Sequence, residues 1–413
     1  MTHRIYYDEP YRRSFDATIA SIDTRDGGAS LVVALDRTAF YPTSGGQPFD
    51  TGTLGGFRVV DVIDQDDGAI AHVVNLEPET VNREPGTGSL KAGAPVRGEI
   101  DWVRRFDHMQ QHTGQHVLSA TFDRLFRAAT VSFHLGADSS TIDLARTVTA
   151  AEIAAAEDEA NRIVWEDRPV HIKYATAEDA AALKLRKPSA REGTLRLIDV
   201  EDFDLSACGG THVARTGGIG VIAIAASEKF KGGQRVEFLC GGRALGRLRS
   251  LRDTVAASVR MLSVMPRELP AAIERMQMDA KDQKRALTGL QNDLAKYRAD
   301  ELAADAETVG SIRLVARTID GDANLLKTLA SIIAERGSHI AVFASISRPS
   351  LVVIARAADV ELRAQELLAL LIARFGGRGG GKNELAQGGL NGAADEIITA
   401  ARVSITAQQA PSS

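Results

Sequence analysis

Two short spacings constrain this chain more than any other feature. In Asp107 to Ala120, DHMQQHTGQHVLSA, His112 and His116 stand four residues apart within an apolar-periodic segment. Far downstream, in ACGGTHVARTG from Ala207, Cys208 and His212 repeat the interval. Four residues is about one turn of an α-helix, so both imidazoles of the first pair project from one face. An isolated HxxxH is commonly two hydrogen-bonded core or surface histidines. A thiolate and a third imidazole at the same spacing change that reading, because HxxxH with CxxxH offers four soft or borderline donors, the complement of a tetrahedral zinc ion. The whole chain holds nine histidines and two cysteines, so two matched pairs concentrate much of its metal-binding chemistry. His108 lies one further turn back on the same face. It is expected to compete as a ligand or to orient one, ranked below His112 because no partner motif points to it.

At 413 residues the chain is too long for one hydrophobic core and should hold two or three folding units. The N-terminus, MTHRIYYDEPYRRSFDA, carries no apolar run of signal-peptide type, and no later stretch reaches membrane-spanning length, so a cytoplasmic protein is expected. Cys208 and Cys240 alone do not make a disulfide framework, and a reducing compartment leaves Cys208 free for metal. A net charge of −5 excludes nucleic-acid binding by bulk positive charge. Local clusters remain, among them Lys184, Arg186, Lys187 and Arg191, and Arg378 with Lys382.

Residues 1 to 95 alternate short β-type runs with turns. SFDATIASID, SLVVALDRTAF, FRVVDVIDQ and GAIAHVVNL are separated by DGG, PTSGGQP, DTGTLGG and DDG, which predicts antiparallel hairpins in a small barrel or sandwich. Tyr41 to Gly52, YPTSGGQPFDTG, is too rich in glycine and proline for a strand and reads as a loop. Its backbone can approach a ligand closely, since Gly45 and Gly46 put no side chain in the way. Residues 96 to 244 mix a long helix carrying HxxxH, a hairpin turning at Asp138, Ser139 and Ser140, an Ala- and Glu-rich helix stopped at Arg168-Pro169, and four further strands. This predicts one α+β unit in which the first helix meets the segment opening at Cys208.

Residues 245 to 308 are predicted helical, broken at Pro266 and Pro270. Ile273, Ala280, Leu287 and Leu294 recur every seven residues, with Met276, Leu290 and Tyr297 at the offset positions. That is the a/d pattern of a coiled-coil arm, suited to homodimerisation or spacing, or to packing along its own chain. Residues 309 to 413 return to a βαββα pattern and end in GGRGGGKNELAQGGL from Gly376, read as a flexible cationic loop able to wrap a phosphate backbone. The predicted fold class is therefore α+β: a β-barrel domain (1–95), a zinc-binding domain (96–244), a helical arm (245–308) and a C-terminal α/β domain (309–413).

HTGQHVLSA, CGGTHVARTGGIG and FYPTSGGQPFDTG together resemble the editing region of alanyl-tRNA synthetases and of the free-standing alanyl-tRNA editing proteins called AlaX. GGRGGGKNELAQGG resembles the nucleic-acid-binding domain shared by alanyl-tRNA synthetases and DHH phosphoesterases. The combination is similar to the long form of AlaX. With no room for a class II aminoacylation core ahead of the barrel, the resemblance implies editing without ATP-dependent charging. It places one Zn2+ per chain on His112, His116, Cys208 and His212, and the glycine-rich substrate loop on Ser44, Gly45, Gly46 and Gln47. It implies hydrolysis of the ester of tRNA(Ala) mischarged with serine or glycine, with Arg378 and Lys382 meeting the tRNA.

Such an ester is already activated, so the site needs a positioned water, stabilisation of developing charge and a reader of the serine hydroxyl. Thr113, Thr211 and Ser44 are the hydroxyl-bearing candidates, and Thr113, Thr211 and Gln47 are the expected catalytic set. Two other classes compete. A metal-dependent phosphoesterase needs several Asp and His ligands for hard cations, which the Cys208 thiolate and the lack of a DHH triplet oppose. A non-catalytic tRNA-binding protein with a structural zinc is the more serious rival. Gly45-Gly46-Gln47 also matches a tripeptide of peptide release factors, with nothing else in the chain to support it.

Overall fold

The computed structural model describes residues 1–25, 29–76, 90–187 and 193–409. The turn expected at Asp26 to Gly28 and the basic residue Arg191 lie outside them. The chain divides into two compact units, Met1–Ser258 and Val259–Ser413.

The barrel strands of the first unit are β1 (Ser14–Arg25), β2 (Ser30–Leu35), β3 (Gly52–Leu54), β4 (Phe57–Asp64), β5 (Ile70–Asn75) and β6 (Pro95–Ile100). They close in the order β1-β2-β5-β4-β3-β6, which settles barrel against sandwich. Period-two alternation builds it: Phe15, Ala17 and Ile19 of β1 are buried while Asp16 and Thr18 are exposed. Val33, Leu35, Val59, Val62 and Val74 fill the interior with them. His72 is the polar exception, fully buried, with its Nδ1 2.9 Å from the Val33 carbonyl and its Nε2 2.8 Å from Thr38 Oγ1. Burial pushes the imidazole down to about 4, against the hydrogen bond to Val33.

That shift gives the barrel an acid limb. Between about pH 6.5 and 4 the unfolded chain takes up the His72 proton and the native barrel does not, so this stabilisation is complete above pH 6.5 and fades as the pH falls through that window. The loss is on the order of 3 kcal/mol by pH 4. Urea midpoints measured across this range should fall with pH in the wild type. They should fall less steeply in His72→Gln, whose amide can keep both hydrogen bonds without titrating; equal slopes would contradict the assignment.

α1 (Trp102–Phe126) follows, capped by Asp101, whose side chain accepts from Arg104 N. From His112 to Phe122 every residue is buried, so the helix is a core element rather than a surface amphipath. A fully buried ion pair fastens it to the barrel: Arg105 Nε lies 3.0 Å from both Asp50 carboxylate oxygens, and Asp50 in turn accepts from Tyr41 N at 2.6 Å. These bonds anchor both ends of the Tyr41 to Gly52 loop.

β7 (Thr130–Leu135) and β8 (Ser140–Leu144) form the expected hairpin, and α2 (Ala150–Trp165) opens on a Thr149–Glu152 capping box. Then come β9 (Val170–Thr176), α3 (Ala177–Ala182), β10 (Thr194–Val200), β11 (Asp204–Ala207), β12 (Ile222–Phe230) and β13 (Gly233–Cys240). β9-β10-β11 make an antiparallel sheet whose last strand runs straight into Cys208, and β12-β13-β8-β7 make a second. Met109, Val117, Leu118 and Phe122 of α1 pack with Ile142, Val236 and Phe238 of that second sheet.

α4 (Gly241–Leu262) crosses the unit boundary, and α5 (Leu269–Ala304) is the long helix of the second unit. Pro266 heads a short 3-10 turn, whereas Pro270 lies inside the first turn of α5, where its missing N–H has no partner to lose. Pro270 therefore starts the helix instead of breaking it. Ala295, Ala299 and Ala303 pack on the domain that follows, while Ile273, Met276, Leu287, Leu290, Leu294 and Tyr297 of the heptad rows are exposed along α5.

That domain comprises β14 (Glu307–Val309), β15 (Ile312–Ile319), α6 (Ala323–Ala334), β16 (His339–Ser345), β17 (Ser350–Arg356), α7 (Ala364–Phe375), β18 (Gly377–Gly381), β19 (Leu385–Leu390) and α8 (Ala394–Gln409). Its sheet runs β14-β15-β16-β17-β19-β18, with β15 and β16 parallel and the remaining pairs antiparallel. The segment expected as a flexible loop is corrected here: it is the hairpin β18–β19. A Cβ on Gly379 would lie 2.6 Å from both Gln387 O and Gly388 Cα, so glycine is what lets the two backbones pair this closely. α8 lies beyond the elements the sequence pattern suggested. No helix among the described residues is long and apolar enough to cross a membrane.

Candidate metal centre and adjoining cavity

The two spacings converge. The ligand atoms of His112, His116, Cys208 and His212 all lie within 4.8 Å of one another. Cys208 Sγ is 3.3 Å from His112 Nε2 and 3.3 Å from His212 Nε2. Donors each 2.0–2.3 Å from one tetrahedral ion would stand about 3.5 Å apart, so the set fits zinc in both chemistry and span. The helix supplies the first pair and the turn after β11 the second.

Each imidazole is aimed by a partner on its far nitrogen. His112 Nδ1 is 2.9 Å from Gln47 Oε1, His116 Nδ1 is 3.2 Å from Asp204 Oδ2, and His212 Nδ1 is 3.2 Å from Thr113 Oγ1. All three bonds suit an Nδ1–H tautomer, which leaves the Nε2 lone pairs for the cluster. The partners are themselves held. Gln47 Nε2 donates to Thr211 Oγ1 at 2.8 Å, and Thr211 N donates back to Gln47 Oε1 at 3.1 Å. Thr113 Oγ1 donates to the Met109 carbonyl and accepts from Val213 N. Asp204 takes Arg186 Nε at 2.7 Å and Ser206 Oγ at 2.9 Å.

The buried donors shift one another's titration in opposite directions. Burial alone would push the Cys208 thiol up, yet His112 and His212 hold it well below its ordinary value. Burial pulls His116 down, but Asp204 and Cys208 more than reverse this and bring it to about 9. His212 goes the other way, lowered to about 3 by burial and by the neighbouring His112. Burial pushes Asp204 up, and His116 with Arg186 overrides it, keeping the carboxylate ionised.

Cys208 and His116 form part of the wall of a cavity of about 410 Å³, shared with Gly45, Gln115, Phe133, Arg186 and Arg196. That is enough for a small ligand or the end of a larger one. Gly45 and Gly46 adopt φ of 53° and 81° in the turn closed by Ser44 and Gln47, and a Cβ on Gly46 would press into the Phe133 ring at 2.8 Å. The glycine loop thus lies directly against β7. Arg196 donates Nε to Tyr7 O and Nη1 to the carbonyls of Cys208 and Gly210, fixing the CGGTH turn, while its Nη2 is buried without a partner.

Of the residues expected here, the four ligands meet in one cluster. Gln47, Thr113 and Thr211 are buried behind them, bonded to the ligands or to one another, and none of the three lines the cavity. Gly45 lines it; Ser44 sits in the same turn, its carbonyl accepting from Tyr41 Oη. Arg378 and Lys382 belong to the second unit, on or next to β18. His108 is corrected: it is buried, its Nδ1 unpartnered, and it is outside the four-donor set. Asp204 is not legible in the sequence, because neither aspartate of VEDFDLSAC carries a spacing signal.

Gly114, inside HTGQH, is where α1 crosses Cys240. A Cβ there would overlap Cys240 Sγ, and both residues sit in the core. Gly114→Ala should therefore destabilise the unit by roughly 1–3 kcal/mol through overpacking, and Cys240→Ala should recover most of it by making room. A double-mutant cycle from urea melts reads this coupling directly; additive costs would contradict it.

The barrel, the four-donor cluster and the C-terminal sheet together define a class. Residues 195–237 match the threonyl and alanyl tRNA synthetase second additional domain, 311–406 the DHHA1 domain, and 13–104, a range that includes the barrel strands, the tRNA synthetases class II (A) model. The chain is 31% identical over 412 residues to the alanyl-tRNA editing protein AlaX-L of Pyrococcus horikoshii, covering 97% of this chain and 98% of that one. It belongs to the AlaX-L family of alanyl-tRNA editing proteins. It is also 31% identical to the alanine–tRNA ligase of Pyrococcus furiosus and 34% to that of Methanoculleus marisnigri, with 94% of this chain covered in each case. It spans only 42% and 41% of those ligases.

Proposed function

We propose that the protein is a trans-editing hydrolase that deacylates tRNA(Ala) mischarged with serine, and also with glycine, and spares alanyl-tRNA(Ala). The observation that carries this reading is the four-donor cluster with Cys208 and His116 in the wall of the 410 Å³ cavity. A closed structural site buried away from any cleft would have no use for that opening.

The residues divide the work. His112, His116, Cys208 and His212 hold one zinc, which when bound supplies a fixed positive charge to orient the aminoacyl end. Gln47, Thr113, Thr211 and Asp204 position the imidazoles. The Gly45-Gly46 turn lets substrate backbone come close, with Ser44 in the same turn. The unpaired Nη2 of Arg196 suits the oxyanion that develops as water attacks the ester carbonyl. Arg378 and Lys382, presented by the glycine hairpin, meet tRNA phosphates. The exposed heptad rows of α5, or the C-terminal domain, serve a homodimer. The place of action is the cytoplasm, with the charging machinery.

The soft donor set argues against a phosphoesterase built on hard cations. A non-catalytic tRNA-binding protein is separated by one assay: incubation with seryl-, glycyl- and alanyl-tRNA(Ala), following free amino acid. Release of serine and glycine but not alanine is expected. Binding of all three tRNAs with no release above the spontaneous rate would overturn the hydrolase.

A further inference from the structure

The cavity wall contains a second unpaired group that the proposed chemistry does not use. Gln115 lies between the two histidine ligands of α1 in sequence, is 2% exposed, and lines the cavity beside His116 and Cys208. Its Nε2 donates to Ser119 Oγ at 2.8 Å, and Ser119 Oγ also accepts from Thr130 Oγ1 at 2.8 Å. The amide is thereby held from its nitrogen end, and Oε1 is left buried with no partner. A buried amide oxygen without a donor costs about 1–3 kcal/mol, which a ligand donor can recover.

We infer that Gln115 is a specificity-determining residue, whose Oε1 accepts the hydrogen bond of the seryl side-chain hydroxyl in the editing cavity. The inference rests on the hydrolase reading above. Serine brings the missing donor, alanine brings a methyl group that fills the space and leaves the acceptor unpaired, and glycine leaves that space open to a water. A site with a buried polar group aimed at a hydroxyl rejects the analogue lacking it far better than an apolar pocket rejects an added one. This assignment replaces Thr113 and Thr211 as readers, since both hydroxyls are already engaged behind the zinc ligands.

The test compares kcat/KM for seryl- and glycyl-tRNA(Ala) in the metal-loaded full chain. Glycine has no hydroxyl, so it reports on everything except the inferred bond. Gln115→Met, close in volume and lacking the acceptor, should lower the seryl value roughly tenfold or more and change the glycyl value little. Gln115→Glu keeps an acceptor and should preserve the ratio. Ser119→Ala, which frees the amide, should lower the ratio by a smaller factor and serves if Gln115→Met does not fold. A ratio unchanged in both Gln115→Met and Ser119→Ala, whatever happens to the absolute rates, would make Gln115 a packing residue. A wild type active on glycyl but not seryl ester would overturn the inference alone. A wild type active on neither would remove the hydrolase reading itself.

Discussion

Cys208→Ala will yield a folded protein that still binds tRNA but retains no zinc after dialysis and no longer releases serine above the spontaneous rate. The thiolate is the one donor within 3.3 Å of two of the imidazole Nε2 atoms, and it is the only anion in the set. Removing it leaves three imidazoles around a site that Asp204 reaches only through His116. Loss of an orienting partner typically costs 10–100-fold in metal affinity, and loss of the charged ligand should exceed that. The fold should survive, because the unit's core is built from Val117, Leu118, Phe122, Val236 and Phe238 and not from the ion. Metal content, circular dichroism and tRNA binding, measured on one preparation, check the three parts separately. Full turnover with the metal gone would show that the cluster is structural.

Gly210→Ala will be nearly as damaging, although it removes no functional atom. A Cβ at this position would intrude on Cε1 and Nδ1 of His112 and come within 3.0 Å of Gln47 Oε1. His112 and Gln47 are both fully buried, so neither can swing into solvent. Either the imidazole rotates off the shared centre, or the turn carrying Cys208 and His212 backs away; both disperse the donors. Metal affinity should drop on the order of 100-fold, with turnover following it. The neighbouring glycine is the control. A Cβ on Gly209 meets nothing nearer than Tyr7 Oη at 3.6 Å, so Gly209→Ala should behave like wild type. Equal effects at the two positions would mean that loop flexibility, not the approach of His112, is what the turn needs.

This contrast shows how unevenly the sequence reports on its structure. The HxxxH helix, the CxxxH turn and the alternating strands of the barrel are local patterns, and periodicity and spacing expose them without knowledge of the rest of the chain. What orients the ligands is not local. Gln47 reaches His112 from the barrel, Asp204 reaches His116 from β11, and Thr113 reaches His212 across the CGGTH turn. Those bonds depend on tertiary packing, which is why spacing alone does not show that Thr113 bonds His212 and Thr211 bonds Gln47. His108 failed for a related reason: helical phase puts it on the ligand face, but the second pair of donors arrives one turn further along. The glycine hairpin is the opposite case. Five glycines ahead of Lys382 read as flexibility because side chains carry most strand signals, yet at Gly377, Gly379 and Gly381 close backbone pairing is what requires their absence. Gln115 lies within HTGQH without any signal of its own, since an unpaired amide oxygen becomes visible only when its surroundings are in place.

X-ray absorption at the zinc edge of the purified 413-residue chain, with metal quantified on the same sample, bears most directly on whether both spacings close on one ion. One zinc per chain is expected, with a first shell of one sulfur at about 2.3 Å and nitrogens at 2.0–2.1 Å. A sub-stoichiometric metal, or a shell containing no sulfur, would contradict it.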